Sequence, residues 1–299
     1  MINEEKLGRR LALGTAQFGL NYGIANSSGK VYESQVLEIL NKAKKEEIDT
    51  IDTAVIYGDS ETILGKTGAS NFNIVTKLPP MPELEIDIEA WAVKNISNSI
   101  NKLNIKKLYG IMLHQSTDFI GERGFELYRV LRKLKYEGMF NKIGVSIYNP
   151  KELDSLEIND IKIDIVQAPF NIIDRRLETS GWLIKLKNLG VEIHTRSVFL
   201  QGLLLLDSNN KDKYFLKWEK CFKEFEKWIK KTNQTPLEAC LNFVYSYDEI
   251  DKIIVGVDNL EQLGQILTSI NNNYKAPISH HLQINDIMLI EPKNWVLSH

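Results

Sequence analysis

Residues 33–58 read ESQVLEILNKAKKEEIDTIDTAVIYG, and this stretch decides the fold. Its first part, Glu33–Glu47, places Val36, Leu37, Leu40, Ala43 and the stem of Lys44 at helical spacing. Its second part, Thr50–Ala54, is short and is followed at once by Val55, Ile56 and Tyr57. Most of the chain's candidate strands are apolar on successive residues, as expected where helices cover the sheet. Helix, then strand, then a polar side chain at the strand's end is half of a βα unit.

Working outward, the same alternation runs along the chain. Candidate strands are Leu11–Thr15, Thr50–Ala54, Asn73–Leu78, Tyr109–His114, Lys142–Ser146, Ile163–Ala168, Glu192–Ser197 and Lys252–Val257. Between them, Ala90–Leu103, Gly124–Tyr136, Leu153–Leu156, Thr179–Leu189 and Asn259–Ile270 read as helices, and Gly190 suits a C′ position. Thr235-Pro236-Leu237-Glu238 is a helix start with the makings of a capping box. Eight strands alternating with helices imply a parallel sheet, and in about 250 residues they match a (β/α)8 TIM barrel. The rival is a doubly wound open sheet, which needs a Gly-rich turn and a helix after its first strand. Gly14-Thr15-Ala16-Gln17-Phe18-Gly19 lacks that spacing, and Leu20–Lys30 is rich in Asn, Ser and Gly. With no linker and no repeat, residues 1–299 are expected to form one α/β domain.

Bulk composition narrows the function. The 299 residues are 43% hydrophobic and 25% charged, with a formal net charge of -2. Nucleic acid is disfavoured as a main partner, because phosphate binding needs clustered Lys and Arg. The basic helix around Lys211 to Lys231 is interrupted by Glu219, Glu224 and Glu226 and reads as a solvated face. No apolar run reaches the roughly 20 residues of a membrane span. Met1 to Arg10 has no signal-like core, so the cytoplasm is the expected compartment. Cys221 and Cys240 have no metal or disulfide spacing, and the His280-His281 pair reads as exposed loop; no metal site is expected. Nothing in the sequence specifies an oligomeric state.

In a barrel, chemistry sits at the C-terminal ends of strands. Those ends carry Asp52 and, just beyond it, Tyr57; then Lys77, His114, Ser146, Gln167 and Arg196. Strands two, three and four lie side by side, so Asp52, Lys77 and His114 converge. A lysine at the end of an apolar strand needs a partner, and Asp52 is the natural one. A nearby ammonium favours phenolate, bringing a tyrosine below its usual pKa near 10. His114 can bond the same substrate oxygen. Acid and orienting donor around one oxygen suit carbonyl reduction, where charge develops on that oxygen. Taken singly, each has a plainer structural role: Asp52 as a turn cap, Tyr57 as a loop aromatic, His114 as a core histidine.

The set resembles the aldo-keto reductases. The match runs from about Leu11 to Ile270. It includes Gly14-Thr15, the segment Asp52-Thr53-Ala54-Val55-Ile56-Tyr57-Gly58, Glu61, Leu64-Gly65, Val75-Thr76-Lys77, Leu113-His114, Ile143-Gly144-Val145-Ser146, Gln167, Gln201-Gly202-Leu203-Leu204 and Ile254-Val255-Gly256. The resemblance implies a barrel with an NADPH-type cofactor across its mouth. It makes Tyr57 the general acid, Lys77 the group that lowers its pKa, Asp52 the holder of Lys77, and His114 the carbonyl-orienting group. Ser146 and Gln167 would bond the nicotinamide amide. The rest of the implied cofactor set is Gly14, Thr15, Arg196, Ser197, Phe199, Gln201, Gly256, Asp258, Gln262 and Gln265.

Three departures stand out. Many members have Ser-Asn where this chain has Ser146-Ile147, with Asn149 a candidate replacement. Arg196 stands where an aromatic residue commonly stacks under the nicotinamide; it can stack, reach a substrate anion, or pair with an acidic neighbour such as Asp174. The stretch Gly256–Leu263 has no Lys or Arg for a 2′-phosphate but carries Asp258 and Glu261, which suit ribose hydroxyls. Both NADPH and NADH are therefore candidates, leaning to NADH. The expected activity is reduction of a small aldehyde or ketone, such as a keto-sugar. Mouth loops around Leu20–Lys30, Ile120–Gly124 and Gly202–Asp212 would set selectivity. Two alternatives remain at this level: a cofactor-binding, redox-sensing subunit, and a lyase or isomerase using Lys77 as a Schiff-base amine.

Overall fold

The expected apolar runs become β1 (Leu11–Gly14), β2 (Thr50–Asp52), β3 (Asn73–Leu78), β4 (Leu108–Leu113), β5 (Phe140–Ser146), β6 (Ile165–Pro169), β7 (Glu192–Arg196) and β8 (Lys252–Gly256). In the computed structural model these strands are all parallel and close in sequence order, with β8 pairing back onto β1. The structure describes residues 7–26, 28–83, 87–270 and 280–297.

Strand parity sorts the side chains. Ile74, Ile111, Leu113, Ile143, Val145, Val166 and Ile193 belong to the large apolar layer shared with the surrounding helices. Val75, Met112 and Ile165 form a separate small cluster with Tyr109, which fills the bore. A Cβ on Gly144 would lie 2.8 Å from Met112 Cγ and 2.7 Å from the Ile165 carbonyl oxygen, so glycine is required for the bore to close here. Two residues further along the same parity, Lys77, His114, Ser146 and Gln167 emerge at the C-terminal rim.

Most helices follow the sequence pattern. Glu33–Lys45 buries Val36, Ile39, Leu40 and Ala43. Ile88–Leu103, Gly121–Tyr136, Lys151–Ile158 and Leu260–Ile270 occupy the expected stretches. Thr235 and Glu238 form the reciprocal capping box that starts Pro236–Tyr245. The basic stretch folds as a 3-10 turn, Lys213–Trp218, followed by the helix Glu219–Thr232. That helix buries Phe222, Phe225, Trp228 and Ile229, which leaves its charges on the solvent side. Cys221 lies in it, and Cys240 lies buried in the next helix.

Two expectations are corrected. The helix expected over Thr179–Leu189 starts only at Trp182 and runs to Asn188, after Gly181 at φ 81, with a separate short helix, Arg176–Thr179, ahead of it. An additional helix, Ser60–Thr67, follows directly on Tyr57-Gly58. It has only Ile63 and Leu64 as apolar anchors, too few to show a helical period, and ends at left-handed Gly68.

Candidate active site

β2 and β3 deliver Asp52 and Lys77 side by side, 4% and 1% exposed. The Lys77 ammonium donates to both Asp52 carboxylate oxygens at 2.7 Å and to the Thr53 carbonyl at 3.1 Å. Gln167 adds a donor, its Nε2 standing 2.6 Å from Asp52 Oδ1. Behind the pair, the Thr15 hydroxyl donates to the Asp52 carbonyl at 3.0 Å, and the Ser60 hydroxyl donates to Thr15. The end of β2 is therefore fixed by its backbone as well as its side chain.

Tyr57 reaches the same place through a tight turn. Thr53 and Val55 amides donate to the Val75 and Lys77 carbonyls, and the Tyr57 amide donates to Ala54. Its ring centroid lies 5.4 Å from Lys77 Nζ. His114, at the end of β4, presents its ring edge-on to Tyr57 with centroids 6.2 Å apart. The four expected residues thus meet at one point of the rim.

Their protonation states follow from burial and neighbours. Burial lowers His114 to about 4, helped by the Lys77 and Arg196 charges and opposed by Asp52, so the imidazole is neutral at neutral pH. Its Nδ1 is buried without a partner among the described residues. Burial also lowers Lys77, against the pull of Asp52. Burial raises the Tyr57 phenol above its ordinary value of 10.0, Asp52 adds to this, and Arg196 works in the other direction. The lowering of Tyr57 by Lys77 expected from the sequence is not found, because that ammonium is locked against the Asp52 carboxylate. Tyr57 is therefore a neutral phenol with a proton to give.

The four residues lie on the wall of a cavity of about 530 Å³. The same wall carries every other expected position: Gly14, Thr15, Ser146, Gln167, Arg196, Ser197, Phe199, Gln201, Gly256, Asp258, Gln262 and Gln265. Thr15 and Gln167 spend hydrogen bonds on Asp52, and Ser146 has no partner among the described residues. Gln262 grips the loop that leads into its own helix, accepting from the Asp258 amide at 2.8 Å and donating to its carboxylate at 3.2 Å.

Two sequence readings are corrected here. Asn149 is not on the cavity wall; its side-chain oxygen accepts from the Lys151 amide and starts the next helix. Arg196 does not pair with Asp174, whose carboxylate is taken by Arg176 at 2.9 Å through both oxygens. Gln17 and Tyr148 also line the wall without having been singled out as site residues in the sequence, and Tyr22 comes from the expected mouth loop Leu20–Lys30. Gln17 packs against Gly256, where a Cβ would come 2.4 Å from its amide nitrogen. Tyr22 accepts from Gln201 across 179 residues of sequence. Tyr148 lies under the Arg196 guanidinium at 4.5 Å. Among the described residues, no group of His, Cys, Asp and Glu is arranged to hold a metal, and no helix is long and apolar enough to cross a membrane. His281 is exposed, while the His280 side chain lies outside the described residues.

With this geometry in place, comparison with known proteins is direct. The Aldo/keto reductase family profile matches residues 10–283, nearly the whole chain. The protein belongs to the aldo/keto reductase family. No curated protein matches the sequence. Among solved structures, a putative aldo-keto reductase from Pseudomonas aeruginosa superposes with a TM-score of 0.64 at 20% identity, covering 89% of each chain. The holo form of the aldo-keto reductase AKR11C1 from Bacillus halodurans superposes with a TM-score of 0.72 at 18% identity, covering 91% of this chain and 89% of that one. At such identities the likeness speaks for the shared barrel. Family membership makes this aldo-keto reductase a nicotinamide-dependent oxidoreductase.

Proposed function

We propose that the protein reduces an aldehyde or ketone to the alcohol, with Tyr57 as the proton donor. The observation that carries this reading is the convergence of a neutral phenol, a neutral imidazole and an internally neutralised Lys77–Asp52 pair on one cavity wall. A substrate oxygen held between Tyr57 and His114 has two donors aimed where negative charge grows. Lys77 lies beside the ring of Tyr57, but its ammonium is taken up by Asp52, and the charge that favours phenolate after proton transfer is that of Arg196. Asp52 and the Thr53 carbonyl hold the Lys77 ammonium still, and Gln167 steadies Asp52. Lys77 as a Schiff-base amine is disfavoured, since it is 1% exposed and bonded to both oxygens of a carboxylate.

The wall also fits a dinucleotide. A bound reduced nicotinamide supplies the hydride. The turn after β7 has Ser197, Leu200 and Gln201 at φ 61, 47 and 53. The Val198, Phe199 and Gln201 amides have no hydrogen-bond acceptor among the described residues, which suits a pyrophosphate. Around Asp258 the fit is to hydroxyls rather than a phosphate. Burial raises the Asp258 carboxyl against the Gln262 hydrogen bond, and its Oδ1 has no partner. Lys77 and Arg196 are the cations of the wall, and both belong to the β3 and β7 ends. Use of NADH at least as readily as NADPH follows.

Two measurements test these readings. Tyr57→Phe should lower kcat by about 100-fold or more, the usual scale of acid catalysis, while the Kd for reduced cofactor is kept; retained turnover would remove Tyr57 as the donor. Fluorescence titration should give comparable Kd values for NADH and NADPH. A preference for NADPH above about tenfold, or 1.4 kcal/mol, contradicts the hydroxyl assignment at Asp258.

A further inference from the structure

Arg196 is a cation without an anion. It lies at the end of β7 on the cavity wall, only partly exposed. Its terminal nitrogens donate to the Ile147 carbonyl at 3.0 Å and the Ser197 hydroxyl at 3.3 Å, both neutral acceptors. Among the described residues no carboxylate pairs with it, and Asp174, Glu291 and Asp52 are engaged elsewhere. Asp174 and Glu291 are held by Arg176, and Asp52 by Lys77. The Tyr148 ring under the guanidinium also carries the Lys293 ammonium at 4.2 Å, but that charge is answered by Glu291 at 3.3 Å, which leaves Arg196 as the cation here without a carboxylate among the described residues. The charge acts on its surroundings: it pulls the Tyr57 and Tyr22 phenols down against burial.

A partly desolvated guanidinium with spare N–H groups is costly unless an anion completes it. Its fixed edge and stacked face leave little to reorganise on binding, and its fork matches the two oxygens of an oxyanion. The oxidised nicotinamide ring, itself cationic, does not supply that charge. We infer that Arg196 recognises an anionic substituent on the substrate, so that the carbonyl compound handled at Tyr57 is an acid: an aldehyde or ketone bearing a carboxylate or phosphate. This assignment rests on the reductase reading above for the word substrate, and on the cavity geometry alone for the anion clamp.

The test compares 4-carboxybenzaldehyde with its neutral methyl ester, reading the ratio of their kcat/KM values. The wild-type protein should prefer the acid, and Arg196→Met should cut that preference by about 30-fold, the scale of lost charged hydrogen bonds. Arg196→Lys, which keeps the charge without the fork, should retain part of the preference. An acid-to-ester ratio unchanged by Arg196→Met overturns the assignment. So does an unchanged ratio accompanied by weaker NADH binding, which would give the guanidinium to the cofactor's phosphates. If the wild-type protein reduces neither aldehyde, the reductase reading fails by itself, and thermal shift decides the clamp. Benzoate, but not benzamide, should then raise Tm in the wild type and not in Arg196→Met. Equal shifts in both proteins, or none in the wild type, overturn it.

Discussion

The two ends of the barrel each carry a lysine–carboxylate pair, and they use it differently. At the C-terminal rim, Lys77 and Asp52 are 1% and 5% exposed, and Tyr57, His114 and Arg196 beside them keep unspent hydrogen-bonding capacity. At the floor, Lys142 and Glu192 are 30% and 12% exposed, and Glu192 also accepts from Tyr109 and bonds His194. Neighbouring floor lysines are matched too, Lys187 with Asp251 and Lys252 with Asp49. Among the described residues, His194 Nδ1 is the buried side-chain atom at the floor left without a partner. The same residue types thus close the fold at one end and stay poised at the other. What separates the two is burial together with the number of partners left over.

Single substitutions break the comparison most strongly at the rim. Lys77→Met leaves Asp52 as an uncompensated buried charge and should destabilise the fold by about 3–5 kcal/mol, measured by urea unfolding, while abolishing reduction. Lys142→Met at the floor should cost about 1 kcal/mol or less, since that pair is part-solvated, and should leave kcat unaltered. Equal costs at the two ends would show that burial does not distinguish them.

Acidification sharpens the contrast by separating the two ends in pH. Burial holds His114 at about 4 against an ordinary 6.5, so charging it favours the unfolded chain. Stability drawn from the neutral imidazole is full above pH 6.5 and is lost as pH falls through 4. Burial opposes ionisation of Glu192, but hydrogen bonds from His194, Lys142 and Tyr109 win and hold it at about 2 against 4.5. Its contribution is full above pH 4.5 and is lost as pH falls through 2. The urea midpoint should therefore fall in two stages. His114→Gln should flatten the first stage, and Glu192→Gln the second.

The barrel was legible because most of its strands are buried on both faces and so read as short, largely apolar runs alternating with helices. The helix Ser60–Thr67 was not, since two apolar anchors make no period. Asp52, Lys77 and His114 were legible for a related reason: an ionisable residue ending an apolar strand is conspicuous. Tyr22, Tyr148 and Gln17 carry no such mark. Tyr22 matters because Gln201 reaches it, and Tyr148 because Arg196 and Lys293 lie against it. Those relations are made by the closed barrel, not by neighbours in sequence. Asn149 misled for the opposite reason, since a local hydrogen bond to the Lys151 amide claimed its side chain.

The alternation that sends Val75 and Lys77 into the bore, and Ile74 and Thr76 away from it, works like a reading frame. One residue added within β3 ahead of Lys77 would turn its ammonium toward the helices and bring Thr76 to the rim in its place. Residues added beyond a strand end leave the frame intact. Variation in this protein is thus channelled: the mouth loops can lengthen and change what is held there, while the strands that carry the proton-transfer residues can exchange side chains only at constant length.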